Sequence, residues 1–368
     1  MAGRDDYALV SGTAAAVPAP VLPWLPPAPA GRHRIALVGA GGIAFAHLDA
    51  YRAHGLEVAA ILSRTEDKAR RAAAEFFPDA TVMADYAALL ARDDIDVVDL
   101  TPHPADRLPL IEAALRAGKH VLSQKPFVTD LDTGERLCAL AEAQGVHLAV
   151  NQNGRWAPHM SYLREAVRAG LVGEVTGVHA AVHWDHRWIR GTPFERVPDV
   201  VLYDFGVHWF DFVTSLTGRT AERVQAQAIR PPSADMAVPM VASALLDFGT
   251  AQASLVFDAA TPHGAMDLTY IAGSAGSLIS RGPDLGTQEV ELHTAAGVAR
   301  PVLTGKWFND GFAGAMLALL QAIETGVPPE NAARGNLVSL ANTFAALEAA
   351  RTGVAQVPGQ VRARRADG

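Results

Sequence analysis

Apolar residues recur along this chain in two rhythms. From Arg34 onward, short apolar runs alternate with segments of helical spacing. Ile35–Val38 precedes a helix predicted from Ile43 to His54, and Val58–Leu62 precedes one from Glu66 to Phe76. Val97–Thr101 precedes a helix from Ala105 to Ala117. His120–Ser123 and His147–Val150 bracket another from Asp132 to Gln144. Gly55, Gly118 and Gly145 sit where these helices should stop, as residues free to take the left-handed cap conformation. Strands apolar throughout are buried on both faces, so this alternation predicts right-handed βαβ units on a parallel sheet. After Asn151 the rhythm changes. Helices are expected near Pro158–Ala169 and Tyr203–Leu216. Strands are expected at Val175–Val182, Val224–Ile229, Ala242–Phe248, Ala251–Phe257, Leu268–Ala272 and Val290–Thr294, several joined by turn residues alone. That pattern predicts an α+β unit with a large, mainly antiparallel open sheet. Helices near Gly311–Thr325 and Ala332–Arg351 close the chain.

Residues 1–31 have neither rhythm. Their prolines favour an extended, semi-rigid arm, and Asp5 and Asp6 do not suit a secretory leader. Tyr7, Leu9, Val21, Leu22, Trp24 and Leu25 are costly to leave in water, so the arm is expected to dock. The chain has 368 residues, 49% hydrophobic and 19% charged, enough for two cores. A formal charge of −8 provides no basic field for nucleic acid. No stretch reaches the roughly 18 apolar residues of a membrane span. The single cysteine, Cys138, excludes an intrachain disulfide and suits a reducing compartment, so a cytoplasmic protein is expected.

Chemistry first shows at the end of the first strand. Gly39-Ala40-Gly41-Gly42-Ile43-Ala44 has G-x-G-x-x-A spacing at a strand-to-helix turn. The glycines permit a tight turn and close approach of a pyrophosphate, Ala44 keeps the helix near the sheet, and the helix N-terminus offers free N–H groups. Residues 32–150 therefore read as a Rossmann dinucleotide-binding domain, and 151–368 as a second domain for substrate binding and oligomerisation. The fold class is α/β. At the end of the second strand, Ser63-Arg64-Thr65 stands where an acidic residue would accept from a ribose 2′-hydroxyl. A hydroxyl beside an arginine suits a 2′-phosphate better, so NADP is favoured over NAD.

Three separated motifs carry a family resemblance. Gly118-Lys119-His120-Val121-Leu122-Ser123-Gln124-Lys125-Pro126 resembles the Ala-Gly-Lys-His-Val-x-x-Glu-Lys-Pro signature of the Gfo/Idh/MocA oxidoreductases, the family of glucose–fructose oxidoreductase and inositol dehydrogenase. Thr101-Pro102-His103 resembles its Thr-Pro-Asn segment, and Asp204-Phe205-Gly206-Val207-His208 its Asp-x-Gly-x-His. The resemblance implies NAD(P)-dependent oxidation or reduction of hydroxylated substrates and a cis Lys125–Pro126 peptide. It also implies a homodimer or homotetramer packed through the second sheet. Two departures stand out: Gln124 replaces the usual Glu, and Asp106-Arg107 replaces a histidine often found near position 106.

The expected catalytic set is Lys125, Asp204 and His208. On a helix, positions 204 and 208 share a face. His208 would exchange the hydroxyl proton, Lys125 would stabilise the oxygen, and Asp204 would support the geometry. Gly39, Gly41, Gly42, Ile43, Ser63, Arg64, Thr65, Thr101, Pro102, His103, Gln124, Lys125 and Asn153 are expected at the cofactor. Lys125, Asn153, Arg155, His183, Trp184, His186, Asp204 and His208 are expected at a sugar- or polyol-like substrate. The run His179 to Trp188 contains histidines and Asp185, yet hydride transfer needs no metal, and none is expected. Two alternatives remain open: an enzyme cycling bound NADP between two sugars, and a non-catalytic dinucleotide or sugar sensor.

Overall fold

Local pattern becomes two sheets in the computed structural model, which describes residues 14–365. The arm supplies β1 (Ala16–Val17). Six strands then form one parallel sheet: β2 (Arg34–Val38), β3 (Glu57–Leu62), β4 (Thr81–Met83), β5 (Val97–Leu100), β6 (His120–Gln124) and β7 (Leu148–Asn151), in the order β4-β3-β2-β5-β6-β7. Their connections carry α1 (Gly42–Ala53), α2 (Glu66–Phe76), α3 (Tyr86–Leu90), α4 (Pro104–Arg116) and α5 (Leu131–Gln144). Strand order reverses between β2 and β5, which opens a crevice at their carboxyl ends. The glycine turn after β2 and Thr101 after β5 both lie at that crevice.

Past α6 (Pro158–Arg168) comes β8 (Val175–His183), then a π-helical turn at Val200–Phe205 and α7 (Val207–Thr217). The remaining strands are β9 (Arg223–Ile229), β10 (Val241–Asp247), β11 (Gln252–Asp258), β12 (Met266–Gly273), β13 (Gly276–Gly282), β14 (Glu289–Thr294) and β15 (Gly297–Ala299). With β8 and the arm's β1 they form a nine-stranded sheet, ordered β1-β15-β14-β13-β12-β8-β11-β10-β9. It is antiparallel except for β8–β11 and β1–β15. One face is buried through residues such as Val178, Ala180, Val182, Leu255 and Phe257. The other exposes Ile229, Leu245, Val256, Met266 and Tyr270. Among the described residues, no helix is long and apolar enough to cross a membrane.

Elements that periodicity missed are short or polar. β4 has three residues at a sheet edge, and β13 reads Gly-Ser-Leu-Ile-Ser-Arg-Gly, with too little alternation to register. The expected Tyr203–Leu216 helix is instead two pieces: the π turn carries Asp204, and regular helix begins only at Val207. At Gly206 a side chain would meet the carbonyl oxygen of Leu202 at 2.7 Å, so the junction needs glycine.

The chain's end returns to its beginning. α8 (Trp307–Thr325) packs on α1, and its Phe312, Ala315 and Leu319 share a core with Ile35 and Leu37 of β2. α9 (Ala333–Thr352) covers α5, α7 and β9. Packing thus crosses the boundary expected at residue 150. The described part of the arm docks on its own chain. The Ala30 and Gly31 amides donate to Glu324 at 3.1 and 2.6 Å, and Ser161 Oγ donates to the Trp24 carbonyl at 2.6 Å. Leu22 and Leu25 pack against the two cores, whereas Val21 is exposed. Tyr7 and Leu9 lie outside the described residues.

Candidate active site

At the crevice the glycine turn is built for a ligand's backbone contacts. Gly39 has φ +97°, and a Cβ there would lie 2.5 Å from Thr101 Oγ1. That hydroxyl is turned inward, donating toward the carbonyls of Val38 and Gly39 at 3.1 Å. Thr101 therefore braces the turn. At Gly41 and Gly42 a Cβ would meet nothing within 4 Å, so open space lies over the start of α1. No side chain caps that helix and no acidic residue occupies its first turn. Free N–H groups at a positive dipole end, facing open space, fit the diphosphate of a dinucleotide.

Lys125 stands at the opposite side of this crevice, after β6, and the Lys125–Pro126 bond is cis as the resemblance implies. Its Nζ donates to the Asp204 carbonyl at 2.8 Å and lies 3.3 Å from Asp204 Oδ1. His208 follows one turn later. Its Nδ1 is buried without a partner, while the residue as a whole is half-buried. Its packed surroundings, and secondarily Lys125, hold the imidazolium form well below the ordinary histidine range. His208 is thus neutral at neutral pH.

Behind Lys125 lies a buried network that sequence reasoning did not find. Gln124 Oε1 accepts from the Lys125 amide at 2.5 Å, and its Nε2 approaches His47 Nε2 at 3.1 Å. Asn151 Nδ2 reaches the same imidazole nitrogen at 3.0 Å. On the ring's other side, Nδ1 meets Asp99 Oδ2 at 2.7 Å, an oxygen that also accepts from Tyr51 at 2.7 Å. Phe312 stacks on His47 with centroids 4.3 Å apart. His47 and Asp99 are both wholly buried. The signal was present: polar residues at 47 and 99 interrupt otherwise apolar faces. The replacement of Glu by Gln124 now has a local logic, since an amide can accept from Lys125 and donate to His47, and a carboxylate can only accept.

Arg107 provides the second brace. Fully buried, it donates to the Pro102 carbonyl at 2.7 Å and to the Pro126 carbonyl, tying the Thr101–His103 loop to the loop bearing Lys125. Burial brings its guanidinium down to about 10.

Other expected residues divide into two groups. Ser63 is buried, and its hydroxyl accepts from the Thr65 amide at 3.2 Å. Arg64 is 90% exposed, with Asp106 3.5 Å away. Asn153 is buried with Nδ2 unpartnered, and neighbouring Gln152 has both amide atoms buried and unpartnered. Both follow β7 toward the crevice, and Gln152 was not anticipated. Trp184 and His186 pack around Phe205, beside Asp204. Two residues are placed differently from expectation. Arg155 is buried and spends its donors on Asp211, at 2.6 and 2.8 Å, and on the Glu330 carbonyl at 2.6 Å. It ties the Asn153–Trp156 turn to α7 and leaves little for a substrate. His183 alternates with buried Val182 on β8, so it faces the sheet's other side, away from α7. Among the described residues, no group of three or more His, Cys, Asp or Glu is placed to hold a metal.

Comparison with known proteins accords with this geometry. Residues 33–152 match the Gfo/Idh/MocA oxidoreductase family, NAD-binding Rossmann fold, and residues 160–279 match the Gfo/Idh/MocA C-terminal domain. The chain belongs to this family. A D-apiose dehydrogenase of Paraburkholderia graminis is 30% identical over 227 residues, 61% of this chain and 60% of that enzyme. A dTDP-3,4-didehydro-2,6-dideoxy-alpha-D-glucose 3-reductase of Actinomadura kijaniata is 39% identical over 150 residues, 40% of this chain and 44% of that one. The chain therefore spans less than two thirds of either curated relative. A 3-ketoreductase of Actinomadura kijaniata, solved in complex with TDP-benzene and NADP, superposes with TM-score 0.67 at 27% identity. That match covers 87% of this chain and 98% of the other.

Burial of neutral histidines sets a pH dependence. Burial depresses His159 to about 3, and His120 and His186 to about 4, against an ordinary 6.5. Between about pH 4 and 6.5 the unfolded chain takes up protons that the folded chain refuses, so stability falls as pH falls. Asp267, pushed by burial up to about 7, and Glu165, also raised by burial, act oppositely, but His208 joins the three histidines on the other side. The urea midpoint is expected to be lower at about pH 5 than at about pH 7. An equal or higher midpoint at the lower pH would contradict the burial assignments.

Proposed function

We propose that the protein is an NAD(P)-dependent oxidoreductase acting between a hydroxyl and a carbonyl carbon of a sugar, cyclitol or related polyhydroxylated ring. The observation that carries this reading is the meeting of Lys125 with Asp204 at the mouth of the glycine-lined crevice. A sensor has no need of such a proton-transfer set.

The nicotinamide of a bound dinucleotide would supply a carbon that accepts or returns hydride. Gly39, Gly41, Gly42 and Ile43 would hold the diphosphate, Ser63, Arg64 and Thr65 the adenosine ribose, and Pro102, His103 and Asn153 the approach to the nicotinamide. Lys125 donates one N–H to the Asp204 carbonyl and lies in ion-pair range of its carboxylate, which leaves a donor for a substrate oxygen. Its charge stabilises alkoxide character as a hydroxyl is oxidised and polarises a carbonyl in the reverse direction. His208 accepts the hydroxyl proton at Nε2. Burial, and secondarily the nearby ammonium, keeps its proton affinity low, so the proton is passed on rather than trapped. Asp204 fixes Lys125 through both its backbone and its carboxylate.

NADP is the preferred dinucleotide in this reading. No carboxylate ends β3, and Arg64, held only by an exposed ion pair with Asp106 at 3.5 Å, can exchange that weak contact for a 2′-phosphate. The NADP complex of the Actinomadura kijaniata 3-ketoreductase supports the choice. The exposed apolar face of the nine-stranded sheet supports a homodimer or homotetramer.

Three outcomes test the proposal. His208→Ala should leave dinucleotide binding intact and lower turnover by about two to four orders of magnitude. Turnover within about threefold of wild type across the pH range would remove His208 from proton transfer. By fluorescence titration, Arg64→Ala should weaken NADP about tenfold more than NAD; equal losses would place Arg64 on the adenine instead. Light scattering should give a dimer or tetramer mass, and a monomer at micromolar concentration would overturn the role given to the exposed sheet face.

A further inference from the structure

Three side chains beyond the end of β8 hold one another in place. The indole N–H of Trp184 donates to His186 Nδ1 at 2.8 Å, and that of Trp188 donates to the same nitrogen at 3.1 Å. A ring nitrogen receiving two N–H groups carries no hydrogen, so His186 keeps its proton on Nε2. Trp184 is covered by Phe205, with ring centroids 4.1 Å apart. Trp188 has no such cover. It meets His186 and Phe194 edge-on, at 4.9 and 6.2 Å, and remains 61% exposed. A large apolar ring that is both fixed and left in water is a prepared contact surface.

Beside Trp188 lies an open surface hollow of about 360 Å³ lined by Asp185, Arg187, Trp188 and Arg190. Arg187 grips both carboxylate oxygens of Asp185 through Nε and Nη2, at 2.8 and 2.7 Å. Arg190 donates to the Asp235 carbonyl at 2.7 Å and lies 3.3 Å from its carboxylate. Both guanidinium charges are therefore compensated. A diphosphate calls for uncompensated cations, whereas a neutral hydroxylated ring wants what is present here: a flat apolar face beside planar groups with spare donors and lone pairs. Trp188 connects this hollow to the cleft through its two ring neighbours, His186 and Phe194. Phe194 touches His103 of the cofactor-side loop at 5.7 Å, and His186 packs on Phe205 next to Asp204.

We propose that this hollow is a second glycosyl subsite, in which one sugar ring packs its C–H face on Trp188 and hydrogen-bonds the Asp185–Arg187 fork while the ring joined to it reaches Lys125 and His208. His186 Nε2–H stands between the two positions as a fixed donor. The substrate is then a glycoside or disaccharide rather than a free monosaccharide. This inference rests on the oxidoreductase reading and narrows it.

The test is calorimetric titration of the NADP-loaded protein with D-glucose, maltose, cellobiose, trehalose and thymidine diphosphate, on wild type, Trp188→Ala and Trp188→Phe. At least one disaccharide should bind about tenfold tighter than glucose, an advantage lost in Trp188→Ala and partly kept in Trp188→Phe. Glucose binding should be unchanged in both variants. The inference is overturned if no disaccharide exceeds glucose, if the advantage survives in Trp188→Ala, or if thymidine diphosphate is the ligand that depends on Trp188. Failure of the oxidoreductase reading would look different: no change in nicotinamide absorbance with any saccharide, however tightly it binds.

Discussion

A lysine ammonium held between two parts of the chain is the constraint on which the rest of the site depends. Lys125 comes from the parallel sheet, and Asp204 from the π turn ahead of α7. Their contact at 2.8 Å to the carbonyl and 3.3 Å to the carboxylate spans the crevice between them. A carbonyl oxygen can be offered there because the π turn breaks regular helix just before Val207. Gly206 is the residue that lets the turn close so tightly against Leu202. The turn thus delivers both an acceptor for the ammonium and, through α7, a neutral imidazole to the same opening.

Lys125 is also fixed from behind. Gln124 binds its backbone amide and leans on His47, which Asp99, Tyr51 and Asn151 surround. Breaking any of these buried bonds would cost about 1–3 kcal/mol, which favours one arrangement of the network, even though Asp99 Oδ1 and Asn151 Oδ1 are themselves buried without a partner. Arg107 joins the two loops that flank the crevice, and Arg155 with Asp211 anchors α7 from the other side. Buried cations at both edges leave the crevice walls little freedom to drift.

Much of this was legible in the residues. The parallel sheet followed from apolar runs separated by helix-length segments, and the glycine turn from its place between strand and helix. What stayed hidden needed tertiary information. The π turn at Val200–Phe205 has no periodicity of its own, so Asp204 and His208 were expected on one helix. His47 and Asp99 are far apart in sequence and meet only because β5 lies beside β2, from which α1 runs. Arg155 resembled a substrate contact because charge suggests solvent, yet its partner Asp211 lies buried on α7. His183 could not be assigned a face until the register of β8 was fixed, and one residue's shift would have reversed it.

The central claim is that Lys125 and His208 serve one substrate oxygen. A crystal structure of the ternary complex with NADP and a bound polyhydroxylated ring tests it most directly. The account predicts a single ligand oxygen within hydrogen-bond distance of both Lys125 Nζ and His208 Nε2, on a carbon facing the nicotinamide. A ring whose oxygens contact neither group, or contact them through different carbons, would contradict it.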